Sequence, residues 1–144
     1  MKTSFRFIQT GIAALLGSAG VLLALLPAVS RAQFNTLTGT GALSHDTAGI
    51  YNTADGYDAL DVNTAGDFNT ATGALALYSN KGNYNTADGA AALQANTNGN
   101  FNVALGVSAL RANTTGTANT ATGYDALAAN VTAYWGTAAG YEAL

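Results

Sequence analysis

Short apolar pairs, mostly Ala-Leu, recur along the chain between polar Asn-Thr pairs and single glycines. An Asn-Thr-Ala triplet or a close variant begins at Asn35 and returns six times, the last time as a degenerate copy at Gly136. The intervals are 17 residues, except for one of 16 that places a single deletion near residues 80–82. A fixed period of this size predicts a stacked array, in which each unit contacts only its neighbours.

The consensus of the copies, N-T-A-x-G-x-x-A-L-x-x-N-T-x-G-x-aromatic, has four positions that hardly vary. The first glycine column is Gly39, Gly56, Gly73, Gly89, Gly106, Gly123 and Gly140. The leucine column is Leu43, Leu60, Leu77, Leu93, Leu110, Leu127 and Leu144. The second asparagine column is Asn63, Asn80, Asn96, Asn113 and Asn130, with Asp46 in the first copy. The closing aromatic position holds Tyr51, Phe68, Tyr84, Phe101 and Trp135, with Ala118 as the exception. We interpret these columns as structural and assign no residue to catalysis, a cofactor or a metal.

The spacing of glycine and asparagine favours β-structure over helix. A helix needs a run of roughly ten or more residues without breakers, and the longest such stretch, residues 124–129, has six. Glycine and asparagine tolerate a positive φ and therefore suit corners. Two glycine corners per copy leave two short arms, each predicted to form one strand that pairs in parallel with the next copy. The predicted fold is an all-β parallel β-solenoid of about seven 17-residue coils over residues 33–144, preceded by an N-terminal signal helix.

Stacking explains the recurring polar columns but leaves a thin core. Asparagines in register can hydrogen-bond up and down the stack, as they do in other cross-β assemblies. The apolar content of each coil is mostly alanine, with one leucine and one aromatic residue, which is little for a lone solenoid. We therefore expect a homo-oligomer, in which association of several chains buries the leucine and aromatic positions further.

Residues 1–32 have the features of a secretory signal peptide. Lys2 and Arg6 precede an uncharged apolar run, Pro27 ends it, and small residues before Gln33 predict cleavage after Ala32. The alternative is an uncleaved membrane anchor, because residues 11–29 are long enough to span a bilayer. On the favoured interpretation the protein is secreted or displayed at the cell surface, and it meets the membrane only through its export signal.

Composition and charge exclude several classes of partner. Only 9% of the residues are charged, well below the roughly 25% of a typical soluble domain. After cleavage the chain keeps Lys81 and Arg111 against eight acidic residues, a net charge of −6. Because nucleic-acid binding needs clustered lysine and arginine, we expect no nucleic-acid partner. The same acidity disfavours adhesion to anionic lipid.

The first arm of the repeat resembles the head repeats of trimeric autotransporter adhesins, the YadA-like heads, and the arrays of some surface and tail-fibre-like proteins. The nearest copy to the head pattern S-V-A-I-G-x-x-A is the segment N-V-A-L-G-V-S-A at residues 102–109. The resemblance implies a left-handed β-roll, a trimer and attachment to a host surface. The period is 17 residues, longer than in those heads, and residues 33–144 contain no pattern of a coiled-coil stalk or a membrane barrel. Thr53 and Asp55 stand where the heads have valine and isoleucine, so the aspartate position either faces solvent or packs imperfectly.

The chain offers little for catalysis or metal binding. His45 is its only histidine, and although Ser44 and Asp46 adjoin it, adjacent residues do not give the geometry of a triad. With one histidine and no cysteine a zinc site is disfavoured, and no calcium-loop pattern contains the aspartates. Two N-glycosylation sequons begin at Asn113 and Asn130, as expected by chance in an Asn- and Thr-rich repeat. We expect no cofactor and no enzymatic activity.

The sequence is compatible with three functions. The favoured hypothesis is an exported, adhesin-like rod that mediates attachment to a host or surface ligand. A passive spacer or tail-fibre-like shaft is the second. Ice binding is the third, because Thr36, Thr53, Thr70 and their equivalents form a column, but its partner column alternates threonine with aspartate.

Overall fold

A computed structural model describes residues 34–144 as a parallel β-solenoid. Seven three-residue strands form one sheet in chain order: β1 (Thr36–Thr38), β2 (Thr53–Asp55), β3 (Thr70–Thr72), β4 (Thr86–Asp88), β5 (Val103–Leu105), β6 (Thr120–Thr122) and β7 (Thr137–Ala139). Seven successive strands enclose six complete turns, and the described residues contain no helix. The all-β parallel solenoid is thus confirmed, whereas the predicted signal peptide, residues 1–32, lies outside the described residues.

Each strand pairs with the equivalent residues of the next copy. Thr53 lies opposite Thr70, and Thr70 lies opposite Thr86 across the shortened interval. The deletion falls between Asn80 and Gly82, where the Asn80 Nδ2 donates to a carbonyl two residues on at 2.8 Å. The equivalent bond spans three residues in other coils. The missing residue is therefore absorbed in a turn, and the strands on both sides keep their register.

Only the first arm of each coil forms a strand, so the prediction of two strands per coil is wrong. The second arm is a succession of turns, although its backbone still bonds to the next coil, as where the Leu60 amide donates to the Ala76 carbonyl at 3.0 Å. Leu60 and Asp58 have φ values of 52° and 51°, which an extended strand cannot accommodate. The aromatic position is also left-handed, with φ 57° at Phe68. Leucine and aromatic residues thus form corners of the coil, whereas the predicted corners were at glycine and asparagine.

Glycine is required where neighbouring coils touch through their backbones. Gly73 has φ 120°, and a Cβ added there would lie 2.8 Å from the carbonyl carbon of Gly89. The second glycine of the coil is required for its small size and not for its backbone conformation. Gly66 lacks a positive φ, but a Cβ added there would collide with the Gly82 oxygen. The glycine columns therefore set the closeness of the stack as well as its corners.

The core is narrow but complete in a single chain. The middle residue of each strand from β2 to β7 is a buried alanine, and it packs beside the Ala-Leu pair. The leucine column is inaccessible to solvent at Leu60, Leu77, Leu93 and Leu110, while Leu127 is half-buried and Leu144 is exposed. The prediction that chain association buries the leucines further is wrong at these four positions. The outward aromatic side chains are what remains uncovered.

Candidate functional surface

A column of buried asparagines runs the length of the rod beside the apolar core. This first asparagine ladder consists of Asn52, Asn69, Asn85, Asn102 and Asn119. The backbone amide of Asn69 donates to Asn52 Oδ1 at 2.8 Å, and its Nδ2 donates to the same oxygen at 3.1 Å. The second proton of that Nδ2 goes to the Gly82 carbonyl at 2.9 Å. Every polar atom of each inner carboxamide is therefore used inside the rod.

The predicted second asparagine column forms another buried ladder. Asn96 Nδ2 donates to Asn80 Oδ1 at 2.7 Å, and Asn113 Nδ2 donates to Asn96 Oδ1 at 2.8 Å. Asn130 ends this ladder, half-buried, with a longer bond of 3.4 Å to Asn113. The sequon at Asn113 is therefore buried in the folded chain.

Asp46 begins the second ladder in place of an asparagine. Its carboxylate accepts bonds from Asn35 Nδ2 at 2.9 Å, the Gly49 amide at 3.0 Å and Asn63 Nδ2 at 3.2 Å. Burial nevertheless outweighs these bonds and raises the pKa of Asp46. The first coil thus holds a partly desolvated carboxylate where later coils hold a neutral amide.

The interior leaves no polar side-chain atom free to hold a ligand. Among residues 34–144, every buried side-chain nitrogen and oxygen has a hydrogen-bond partner. The same residues contain no cluster of three or more acidic or histidine side chains arranged to hold a metal ion. Within this described part of the chain there is also no helix that could cross a membrane.

Ser44, His45 and Asp61 meet at the rim of the second arm. His45 Nδ1 lies 2.9 Å from Asp61 Oδ1 and 3.2 Å from Ser44 Oγ, and Ser44 also bonds the same carboxylate oxygen. In a catalytic triad the acid and the nucleophile address different nitrogens of the imidazole. Burial acts to raise the pKa of Asp61, but the bonds from Ser44 and His45 prevail and lower it. The cluster joins two coils, and its geometry is not that of a triad.

The sheet presents two outward columns to solvent. The threonine column, Thr36, Thr53, Thr70, Thr86, Val103, Thr120 and Thr137, occupies the first position of each strand. The third position holds Thr38, Asp55, Thr72, Asp88, Leu105, Thr122 and Ala139, and all of them are exposed. Asp55 and Asp88 therefore face solvent, which resolves the question that the likeness to the adhesin heads leaves open.

Beside the threonine column five aromatic rings form a continuous ladder, here named the aromatic stack. It comprises Phe34, Tyr51, Phe68, Tyr84 and Phe101, whose successive centroids are 4.9, 5.0, 5.0 and 5.1 Å apart. From Tyr51 onward the neighbouring planes are within 14° of parallel. The side chains remain 45–58% exposed. The stack stops where Ala118 replaces an aromatic residue, one coil before the exposed Trp135.

A polar ladder borders the aromatic stack on its other side and holds it in place. Asp67 Oδ1 accepts from the Ile50 amide at 2.9 Å, Asn83 Oδ1 from the Asp67 amide at 2.7 Å, and Asn100 Oδ1 from the Asn83 amide at 2.8 Å. These side chains clamp the residue that precedes each ring. These three residues were not predicted from the sequence, although a polar residue before the aromatic position in the second, third and fourth copies is the signal that could have identified them.

No family model, curated protein or solved structure matches the chain. The surface itself is therefore the basis for a functional proposal.

Proposed function

We propose that the chain is an exported, non-enzymatic rod that mediates attachment outside the cell or at its surface, in the manner of an adhesin. The observation that supports the proposal is the regular outer surface, on which threonine occupies the first position of six of the seven strands beside five aromatic rings about 5 Å apart. Repetition of this kind gives a long contact made of many weak, equivalent interactions, which suits adhesion to an extended surface.

Export is the first part of the proposal to test. The chain, produced with its own N-terminus in a bacterial host, should be recovered outside the cytoplasm and should begin at Gln33. Replacing Leu22 and Leu25 with arginine should abolish export, because charges interrupt the apolar run that the signal needs. Exported protein that still begins at Met1 would support the membrane anchor instead, and recovery only from the cytoplasm would contradict the proposal.

Attachment is the second part. Cells that display the native chain should adhere to a target surface more than cells that display a variant with Thr53, Thr70 and Thr86 replaced by alanine. A control with Tyr124 and Tyr141 replaced by asparagine removes two exposed rings from a different column. Equal adhesion by all three would contradict the proposal and favour a passive spacer or tail-fibre-like shaft.

Ice binding remains a second candidate because both outward strand positions hold threonine on three strands, β1, β3 and β6. Asp55 and Asp88 interrupt this array on β2 and β4, and Val103 and Leu105 replace it on β5. Thermal hysteresis in the purified chain would support this function, and its abolition by Thr72→Asp would locate it on the sheet face. Freezing behaviour like that of an inert protein would exclude it.

We also propose that the rod is a homo-oligomer, with a trimer suggested by the likeness to the adhesin heads. The leucines are already buried within one chain, so an association would use the outer surface.

A further inference from the structure

We infer that the aromatic stack is the surface along which a second copy of this chain packs, rod against rod. The inference rests on the proposed function, since it assigns a contact surface to the proposed homo-oligomer. Three independent properties of the stack support it: its exposed area, the way its rings face and its period.

The exposed area is in the upper part of the range that isolated chains present. Five side chains that are 45–58% exposed, each with about 200 Å² of surface, present about 500 Å² of aromatic surface. Monomeric proteins rarely expose a contiguous apolar patch larger than this. A specific interface takes roughly 800 Å² from each partner, so the contact would also include the bordering threonine column and polar ladder.

The orientation of the rings favours a protein partner over a sugar. Tyr51, Phe68 and Tyr84 each have a ring on either side, with centroids 4.9–5.1 Å away. A sugar packs on a free ring face, whereas these inner faces are largely covered by their neighbours. What the column offers is a ridge of ring edges, which suits a partner with a matching row of ridges and grooves.

The spacing of about 5 Å between the rings favours a second copy of the same chain as the partner. A partner can cover all five rings in register only if its own surface repeats at about 5 Å, the spacing of stacked strands. The present chain repeats at this spacing over its whole described length. In a parallel pair Phe68 would meet Phe68 and Tyr84 would meet Tyr84, so the tyrosine hydroxyls would lie together at the edge of the contact.

The backbone beneath the stack is strained, as it is at the buried leucine corners of the coil, where Leu60 has φ 52°. Tyr51, Phe68, Tyr84 and Phe101 have φ values between 56° and 60°, a conformation that glycine or asparagine adopts more readily. Stacking offsets part of this strain in the single chain, and burial against a partner supplies a further reason for aromatic residues at these positions.

Charge predicts how the association responds to salt. Residues 34–144 carry a net charge of −6, so two copies repel each other over distances beyond contact. Screening weakens that repulsion and leaves the apolar contact intact. Association should therefore tighten as salt rises, which is opposite to the response of an interface built on ion pairs.

The test is sedimentation equilibrium of the exported protein, with circular dichroism to verify the fold. The native chain should self-associate, and Phe68→Asn combined with Tyr84→Asn should raise the dissociation constant roughly 100-fold or more. Asparagine is chosen because it tolerates the left-handed backbone. The matched control, Tyr124→Asn with Tyr141→Asn, removes a stacked pair at 5.2 Å elsewhere and should change the constant by less than about threefold.

A gain of association provides the complementary test. Ala118 has φ 59° and leaves the gap between Phe101 and Trp135, so Ala118→Phe should extend the stack and tighten association roughly tenfold. A native chain that stays monomeric in high salt, or equal weakening by the control pair, would overturn the inference.

Adhesion measured on the same variants separates this inference from the proposed function. If the native chain dimerises through the stack but its display gives no adhesion, the proposed function fails and the inference stands. If the native chain is monomeric and the double asparagine variant loses binding to an immobilised polysaccharide, the stack is a glycan site and the inference fails.

Discussion

Two ladders that are neighbours in the sequence behave in opposite ways. Each residue of the aromatic stack from Tyr51 onward immediately precedes a residue of the first asparagine ladder, as Phe68 precedes Asn69. The left-handed backbone at Phe68 turns the ring to solvent, and Asn69 then points into the rod. The polar groups of the inner asparagine side chains are all hydrogen-bonded within the chain. The stacked rings cover only one another's faces and leave their edges exposed to solvent. Polar side chains thus form part of the interior of the rod beside its alanine and leucine core, and one column of aromatic side chains lies at its surface.

The buried asparagine ladder explains how a thin apolar core is sufficient for a stable rod. Each inner asparagine has its oxygen and both amide protons bonded, so its burial carries no unsatisfied polar group. Stacked networks in a low-dielectric interior are costly to break, because each deletion leaves several groups without partners. We expect substitutions in the asparagine ladder to affect stability and substitutions in the aromatic stack to affect association.

The largest effect is expected for Asn85→Ala in the middle of the first asparagine ladder. Asn85 Oδ1 accepts from the Asn102 backbone and side chain, and its Nδ2 donates to Asn69 and to Gly99. Loss of these bonds leaves buried donors and acceptors unpaired and should lower the free energy of unfolding by about 4 kcal/mol. Denaturant unfolding measures it. A loss below about 1 kcal/mol would mean that water replaces the amide and that the ladder is not a closed network.

Gly73→Ala should have the next largest effect. The new Cβ would meet the backbone of Gly89 at 2.8 Å, at a φ of 120° that alanine adopts only under strain. We expect a loss of about 3 kcal/mol in the same unfolding assay. Thr72→Ala is the control, since Thr72 is the exposed neighbour, and it should change stability by less than about 0.5 kcal/mol. Equal effects of the two substitutions would contradict the close approach of the coils.

Phe68→Asn in dilute, monomeric protein should change stability by about 1 kcal/mol or less. The substitution loses stacking against two rings, worth about 0.5–1.5 kcal/mol each, but it relieves a left-handed phenylalanine that costs about 1–2 kcal/mol. The small effect on a single chain is what distinguishes a surface ladder from a structural one. A loss above about 3 kcal/mol would place the stack among the structural elements of the rod.

The smallest effect, and a pH-dependent one, is expected for Asp46→Asn. Burial raises the pKa of Asp46 above its unfolded value of 3.8, so the folded chain binds this proton more tightly than the unfolded chain. Stability from this group is therefore greatest at low pH and falls as pH rises from about 3.8 through the raised pKa. A neutral carboxamide at this position would remove that decline and fit the ladder, so the variant should gain stability relative to the native chain toward neutral pH.

Asp61 supplies the matched comparison for that pH profile. The bonds from Ser44 and His45 outweigh the effect of burial and lower the pKa of Asp61 below 3.8. The contribution of Asp61 to folding stability is present when the pH is above the unfolded pKa of 3.8. It is lost as the pH falls through the lowered pKa of the folded chain, which is the reverse of the behaviour of Asp46. Asp61→Asn should therefore lose stability relative to the native chain at neutral pH, and parallel profiles for the two variants would contradict these assignments.

The register of the rod could be predicted from the sequence because repetition alone determines it. The 17-residue spacing and the single deletion near residues 80–82 predict which residues face each other, and the strand pairs agree. The pairing of each asparagine with its equivalent in the next coil follows from the same register. In contrast, repetition does not show which columns point into the rod, so the outward orientation of Asp55 could not be predicted from the sequence.

The left-handed corners could not be predicted because tertiary bonds override local preference. Leucine and phenylalanine disfavour a positive φ, yet the Leu60 amide bonds to Ala76 and the Phe68 amide bonds to Ile50 only in that conformation of the coil. The same bonds prevent the second arm from becoming a strand. The aromatic stack as a continuous exposed surface likewise depends on those corners, and it emerges only from the three-dimensional arrangement.

Hydrogen exchange of the asparagine side chains, followed by NMR, tests the central claim most directly. If the first asparagine ladder is a closed network, the Nδ2 protons of Asn69, Asn85 and Asn102 should exchange as slowly as the strand amides, and far more slowly than those of the surface residue Asn98. Rapid exchange of all these carboxamides in a folded chain would show that the asparagines are solvated and would contradict the account.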